Sequence, residues 1–393
     1  MMRVVVVGGG QAGINCAQGL ANKLTAEDKT EVVVLEKSAF FYHVMGAPRA
    51  YVDAGYKKNM FVPYGNAIPK HAADFVHVRR AVATRISADD NEVSFRTVGS
   101  DDKESSTTEK LHFDYLVLAT GSTYTAPIKQ DSRDYGRSAT EVKLDEVREH
   151  IEKAEKILIV GGGAVGCEVA GEIKAKYPDK SVTILEAHDK LIATNNLSDK
   201  FYSYLYPSLD KLGVKVILGE RLTERMAGNC FEKRTLRTDK GTTIDSDIQL
   251  LCGGFHPVTE LVQDMDPDLV TDRGAIKVTD QLQLEGGKYA HMFALGDASN
   301  HPTPKMAFWA ADQGKFLAAE LAAAIQKKQD GFAKPYPKVA TEAVILPLGP
   351  SGGVSQLPVW GGVVVGDWFT WMIKSRDFLA GRVWASLGAS PPK

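Results

Sequence analysis

Arg3–Gly13 reads RVVVVGGGQAG, and Lys156–Gly166 reads KILIVGGGAVG. Each is an apolar strand that runs straight into G-G-G-x-x-G and then into a helical stretch. Each is followed by a second apolar strand that ends in an acid, EVVVLE at Glu31–Glu36 and SVTILE at Ser181–Glu186. One glycine fingerprint alone is weak evidence. Strand, fingerprint, helix and strand-end acid occurring twice predict two dinucleotide-binding βαβ units.

The strands between and after these units are nearly continuously apolar, as parallel strands covered on both faces should be. They are DYLVLATGS at Asp114–Ser122, DIQLLCGG from Asp247 and HMFALGD at His291–Asp297. The polar stretch Gly99–Lys110 reads as a solvated hairpin loop. After Pro304 an Ala/Leu-rich helix is expected to run to about Lys327, and Pro335 and Pro337 then break the chain. The fold class is therefore α/β, with two Rossmann-like domains and a small C-terminal α+β module. The expected domains are residues 1–125 (FAD-binding, first part), 126–246 (NAD(P)H-binding), 247–330 (FAD-binding, second part) and 331–393 (C-terminal module). A chain of 393 residues is long enough for this division.

In the first fingerprint, Gly8 permits the tight turn, Gly10 lets the backbone approach a pyrophosphate, and Gly13 lets helix and strand pack closely. Gly9 completes the loop, and the phosphates sit at the helix N-terminus. Glu36, with Lys37 beside it, is placed to meet the ribose hydroxyls of FAD. Thr120 and Gly121 form a turn at the end of a neighbouring strand. Gly296-Asp297 ends another, where the carboxylate can accept from ribitol or ribose hydroxyls. Thr303-Pro304-Lys305-Met306 opens the long helix, whose N-terminus, with Lys305, could stabilise a reduced flavin. In the second fingerprint Gly161, Gly163 and Gly166 repeat the pattern, and Glu186 is the strand-end acid. A carboxylate there binds the ribose diol and repels a 2′-phosphate, which favours NADH. His188 and Lys190 lie close enough to offset that repulsion, so NADPH stays open as the donor. Glu168 is placed in the first helical turn, either facing the nicotinamide or simply exposed.

A disulfide reductase of this design needs a cysteine pair beside the flavin, and the peroxidase type needs one Cys after the Glu36 strand. The four cysteines, Cys16, Cys167, Cys230 and Cys252, form no close pair, and Phe40–Gly46 holds none. Electrons are expected to pass directly to a small acceptor, for which a planar quinone fits best. No metal site, disulfide framework, signal peptide, transit peptide, N-myristoylation or membrane-spanning segment is expected. A formal net charge of −2 without a basic block argues against nucleic acid as a partner. Trp360, Trp368, Trp371 and Trp384, with Phe369, Met372, Ile373, Phe378 and Leu379, form an apolar stretch edged by Lys374, Arg376 and Arg382. It reads as an interfacial surface, a quinone tunnel, a satellite core or a homodimer contact.

The paired fingerprints, Ala119-Thr120-Gly121, Gly296-Asp297 and the inserted second unit resemble the pyridine nucleotide–disulfide reductase superfamily. More narrowly, TPKMAFWA at Thr303–Ala310, Gly162–Thr183 and KSRDF at Lys374–Phe378 are similar to the apoptosis-inducing-factor-like, ferroptosis-suppressor group of flavoproteins, near the type II NADH:quinone oxidoreductases. The similarity runs over nearly the whole chain. It implies an FAD enzyme that reduces quinones such as ubiquinone or menaquinone with NAD(P)H, at a membrane or lipid-droplet surface, to radical-trapping hydroquinols. It implies that Arg49 and Val82 contact FAD, that Asp297 meets the flavin ribitol, and that Glu168 and Lys374 handle cofactor or substrate. The chain begins Met1-Met2, without the Met-Gly lipidation signal of animal members, and carries Glu186 where they have a non-acidic residue. A cytoplasmic enzyme is expected, with peripheral attachment to a membrane left open. The alternatives are a reductase of a protein carrier or of monodehydroascorbate, and a redox-sensing pro-death factor.

Overall fold

The structure, a computed structural model, describes residues 1–253, 255–327, 332 and 334–392. Valine-rich β1 (Met2–Val7) pairs in parallel with β2 (Thr30–Glu36) on one side and with β6 (Tyr115–Leu118) on the other. β3 (Val76–Ser87) extends the parallel set beyond β2, and β11 (Met292–Ala294) extends it beyond β6. β4 (Glu92–Thr97) and β5 (Glu109–His112) add an antiparallel edge, which gives the order β11-β6-β1-β2-β3-β4-β5. Val4, Val5 and Val6 have no exposed surface, because helices and loops cover both faces of the sheet.

The second sheet repeats the first. β7 (Lys156–Val160) lies between β8 (Ser181–Glu186) and β10 (Ile248–Leu251), and β9 (Val214–Leu218) follows β8, all in parallel. Ile248–Leu251 therefore belongs to the second sheet, and the expected boundary at residue 246 falls one strand too early. The strand pairs with the fingerprint strand of its own unit, as Tyr115–Leu118 does in the first. Two short segments, Ser122–Thr123 and His256–Pro257, pair antiparallel as the chain enters and leaves the second unit. The expected boundary at 330/331 lies outside the described residues.

Helix α1 (Gln11–Ala21) covers one face of the first sheet and packs on the long helix α3 (Ala307–Ile325). The approach is closer than side chains allow. A methyl on Gly314 would stand 2.3 Å from the Ala12 carbonyl oxygen, and one on Gly19 2.5 Å from the Ala318 Cβ. In the second unit α2 (Ala164–Lys176) plays the part of α1. The C-terminal module is a three-stranded antiparallel sheet, β12 (Val344–Pro347), β13 (Gly353–Leu357) and β14 (Val363–Val365), followed by helical turns over Asp367–Ser375 and α4 (Ala380–Ser386). Among the described residues no helix is long and apolar enough to cross a membrane.

Candidate functional site

The two fingerprints match in detail. Gly8 has φ +101° and Gly161 φ +111°, a backbone region that side chains rarely adopt. A methyl on Gly8 would strike the Ala119 carbonyl oxygen at 2.4 Å, and one on Gly161 the Cys252 carbonyl at 2.7 Å. A methyl on Gly13 or Gly166 would fall 1.9 or 2.0 Å from the carbonyl oxygen of the first glycine of its own turn. Gly10 and Gly163 differ from these: nothing stands within 4 Å of where their side chains would begin. Each is the N-cap of its helix and makes no side-chain capping bond. Open space at a helix N-terminus with unclaimed N–H groups is what a pyrophosphate requires.

The strand-end acids hold these loops. Glu36 accepts from the N–H of Gly9 at 2.6 Å and of Ser38 at 2.8 Å. Glu186 accepts from the N–H of Gly162 at 2.7 Å and of His188 at 2.9 Å. Burial pushes the Glu36 carboxyl up, opposed by the Ser38 and Gly9 N–H bonds and by the Lys37 charge. Lys37 turns to the carbonyls of Asp131 and Ser132, and burial pushes its ammonium down. Val82 lies two residues beyond Arg80, the register partner of Glu36, so it borders the same end of the sheet. Tyr64, which sequence reasoning missed, donates its hydroxyl to the Gly9 carbonyl at 2.8 Å.

Across the sheet, Gly296, Asp297, Thr303, Lys305, Met306 and Trp309 line a cleft. Asp297 accepts from the Ser122 hydroxyl at 2.7 Å and faces the Lys129 ammonium at 3.0 Å. Although burial pushes its carboxyl up, Lys129 and Ser122 outweigh it and hold the group below the usual range. Thr120 and Gly121 close the turn beside it by bonding the Val258 carbonyl and N–H. The buried Trp309 Nε1 has no hydrogen-bond partner. An acceptor, an unmatched indole donor and the uncapped N-terminus of α3 fit the polar parts of a flavin. Lys305 departs from expectation. The helix begins at Ala307, and the lysine lies in the loop before it, donating to the carbonyls of Gly296, Ser299 and His301 at 3.2, 2.8 and 3.0 Å. Burial pushes this ammonium down to about 8.

On α2, Glu168 and Glu172 are one helical turn apart, and both are buried. Glu168 is the fifth helical residue rather than an exposed first-turn acid, and accepts from Lys374 Nζ at 2.7 Å. Burial pushes its carboxyl up, and Lys374 opposes this. Glu172 forms a two-point ion pair with Arg49, whose Nη2 also donates to the Ser375 carbonyl at 2.7 Å. Arg49, expected at the flavin, thus has its guanidinium taken up in joining α2 to the C-terminal module. The spacing of the two acids on an apolar helix was visible in the sequence; their cations, more than 100 residues away, were not. His43 lies in the same region, fully buried, beside the Phe378 backbone. Burial pushes it down to about 4, so it is neutral near pH 7.

Of the thiols, Cys167 donates weakly to the Gly162 carbonyl of the second fingerprint at 3.8 Å. Cys16, Cys167 and Cys252 are buried, and burial pushes each thiol up, Cys16 and Cys252 to about 12. None is a ready thiolate nucleophile near neutral pH. The tryptophan stretch divides. Trp360 is 95% exposed and Trp368 71%, with Trp371 and Met372 also exposed. Trp384 and Phe378, by contrast, are buried, and the Trp384 indole donates to the Asn59 carbonyl at 3.0 Å. These two pack the module onto the body of the molecule.

Comparison with known proteins agrees with this geometry. The family model for pyridine nucleotide-disulphide oxidoreductases matches residues 2–314. Ferroptosis suppressor protein 1 of Taeniopygia guttata is 30% identical over 394 residues, covering 100% of this chain and 97% of the relative. Apoptosis-inducing factor homolog B of Dictyostelium discoideum is 29% identical, covering 99% of this chain and 98% of the relative. Among solved structures, the sulfide:quinone oxidoreductase of Aquifex aeolicus superposes with a TM-score of 0.75 at 14% identity, covering 99% of this chain and 92% of that one, a likeness of fold.

Proposed function

The chain belongs to the pyridine nucleotide-disulphide oxidoreductase family, whose enzymes use FAD and NAD(P)H, and from that premise we propose that it is an NAD(P)H:quinone oxidoreductase. The observation that carries the proposal is the combination of two matching glycine turns with three buried, high-pKa thiols. Bound FAD supplies a carrier that takes two electrons from a nicotinamide and gives them to an acceptor. The protein's part is to bind, orient and exclude water. Gly10 and Gly163 leave room for the two pyrophosphates. Glu36 and Asp297 offer acceptors to the ribose and ribitol of the resident dinucleotide, and Glu186 to the ribose of the transient one. With no close cysteine pair and these three thiols buried, the acceptor would meet the electrons directly, as a planar ubiquinone or menaquinone can.

Reducing a quinone to its hydroquinol takes two electrons and two protons; NAD(P)H supplies a hydride and solvent the remaining proton. Lys374, held on Glu168, is the group we assign to handling that proton, and the hydroquinol would be a radical trap. The exposed Trp360, Trp368, Trp371 and Met372, flanked by exposed Arg376 and Arg382, suit the surface of a membrane in which such quinones dissolve.

Steady-state oxidation of NADH and of NADPH by the FAD-loaded protein, against soluble quinones, ferredoxin and monodehydroascorbate, tests the reading. A quinone should give the highest kcat/KM. A higher value with ferredoxin or monodehydroascorbate would assign the acceptor site to that partner instead.

A further inference from the structure

The chain leaves the first unit at Ser122–Thr123 and returns to it at His256–Pro257, where the two segments pair. The return from the second sheet is short, residues 252–255. The way out is long, with residues 124–137 preceding the helix Ser138–Lys153 that opens the second unit. These extra residues cross the first sheet at the carboxyl ends of its parallel strands, the edge where such a sheet binds a dinucleotide.

Each strand end along the way supplies an anchor. Beyond β11 and β6, the Lys129 ammonium stands 3.0 Å from Asp297 Oδ2 and donates to the Ser122 carbonyl at 3.1 Å and to the Ser122 hydroxyl. Beyond β2, the carbonyls of Asp131 and Ser132 accept from Lys37 Nζ at 3.3 and 2.6 Å. On β3, Arg80 donates to the Tyr135 carbonyl at 2.8 Å. In the order β11-β6-β1-β2-β3, the strand passed over between these anchors is β1, which ends in the glycine turn Gly8–Gly10.

The far end is fastened twice. The Tyr135 hydroxyl donates to Glu104, in the segment that joins β4 to β5, and Arg80 also bonds Asp102 and the Gly99 carbonyl of that segment. A methyl on Gly136 would stand 1.9 Å from the Asp102 carboxylate. Between its ends the crossing is stiffened by a turn. The Asp134 N–H bonds the Asp131 carbonyl at 3.1 Å, and the Arg133 N–H bonds the Asp131 carboxylate at 3.0 Å. A plain link to Ser138 needs none of these bonds. The path also runs between the two acceptors offered to the resident dinucleotide, Asp297 and Glu36. A pyrophosphate there adds negative charge between two carboxyl groups, and an ammonium on the crossing segment offsets it.

We propose that residues 129–135 are part of the FAD site: a strap across the bound dinucleotide, with Lys129 as a cation for its pyrophosphate, that sets how slowly FAD leaves. FAD is released when the strap lifts from Lys37 and Arg80. The assignment rests on the first unit holding FAD, and not on the identity of the donor or the acceptor.

The test is the rate at which free-flavin fluorescence recovers after the FAD-loaded protein is diluted. Inserting Gly-Gly between the exposed Ser132 and Arg133 breaks the turn and slackens the strap, and FAD should leave about tenfold faster or more, the size of one lost hydrogen bond to a charged group. Lys129→Met should also speed release. The same insertion between Gly286 and Gly287, an exposed turn of the first unit, should release FAD at the wild-type rate. All three variants should keep the wild-type circular dichroism. Wild-type release from the strap insertion, or equal acceleration by the control insertion, would overturn the strap and leave the FAD site standing. If the strap insertion disturbs the fold, Lys129→Met decides: faster release supports the strap, and wild-type release overturns it. Wild-type protein that retains no flavin on gel filtration would overturn the FAD site along with the strap.

Discussion

Gly163 and Gly166 stand one helical turn apart, and a methyl on each has a different consequence. At Gly166 it meets the Gly161 carbonyl oxygen at 2.0 Å, an overlap the turn must relieve by moving backbone. Gly166→Ala should therefore lose ~1–3 kcal/mol, visible as a lowered thermal midpoint. At Gly163 it meets nothing within 4 Å, so Gly163→Ala should melt with wild type. Its methyl instead fills the space meant for a pyrophosphate, and KM for NADH should rise by about tenfold or more. A normal KM in that variant would show that the dinucleotide does not approach this turn. Lys305 offers a pH test. Its folded pKa, pushed down by burial to about 8 with Asp297 opposing, lies below that of a free lysine. From about pH 8 to about pH 10.4 the unfolded chain holds a proton that the folded chain lacks, so stability rises with pH there. Lys305→Met should flatten that rise in denaturation curves taken across this window.

At the scale of elements, α2 is held to the C-terminal module by the buried Glu168–Lys374 ion pair, and by Glu172 through Arg49, whose Nη2 also donates to the Ser375 carbonyl. Lys374→Met leaves a buried carboxylate without its cation, which should cost ~3–5 kcal/mol. Adding Glu168→Gln should restore much of this, and urea midpoints of the two single variants and the double variant give the coupling. Equal losses in Lys374→Met and in the double variant would mean that the pair is not a unit. These contacts also mark how far the sequence could be read. The strands, the glycine turns and the strand-end acids are local, set by patterns within a dozen residues, and so were legible. Arg49 with Glu172 and Lys129 with Asp297 join residues 123 and 168 positions apart, and no local pattern announces them. Lys305 was misplaced because Thr303-Pro304 resembles a helix start, whereas the helix begins three residues after the proline. The four tryptophans stand between surface and satellite core in the sequence because residue type alone does not tell an interfacial tryptophan such as Trp360 from one such as Trp384, whose indole finds a carbonyl in the core.

For the whole molecule, two sheets built on one pattern hold two dinucleotides, and the third module adds an apolar exposed face. Trp360 and Trp368 are the most exposed of its large side chains. If that face meets lipid, the FAD-loaded protein should co-float with vesicles containing anionic phospholipid. Replacing both tryptophans by Ser should reduce the bound fraction by about tenfold or more while the thermal midpoint holds. Flotation unchanged by the double substitution would remove this face from the membrane account. We propose that electrons from NAD(P)H pass through FAD directly to a quinone. It is tested most directly by anaerobic stopped-flow mixing of the FAD-loaded protein with NADH or NADPH, followed by a soluble quinone. The nucleotide should bleach the flavin absorbance, and the quinone should restore it at a rate no slower than turnover. A flavin that neither nucleotide bleaches, or that is bleached and then left reduced by the quinone, would contradict it.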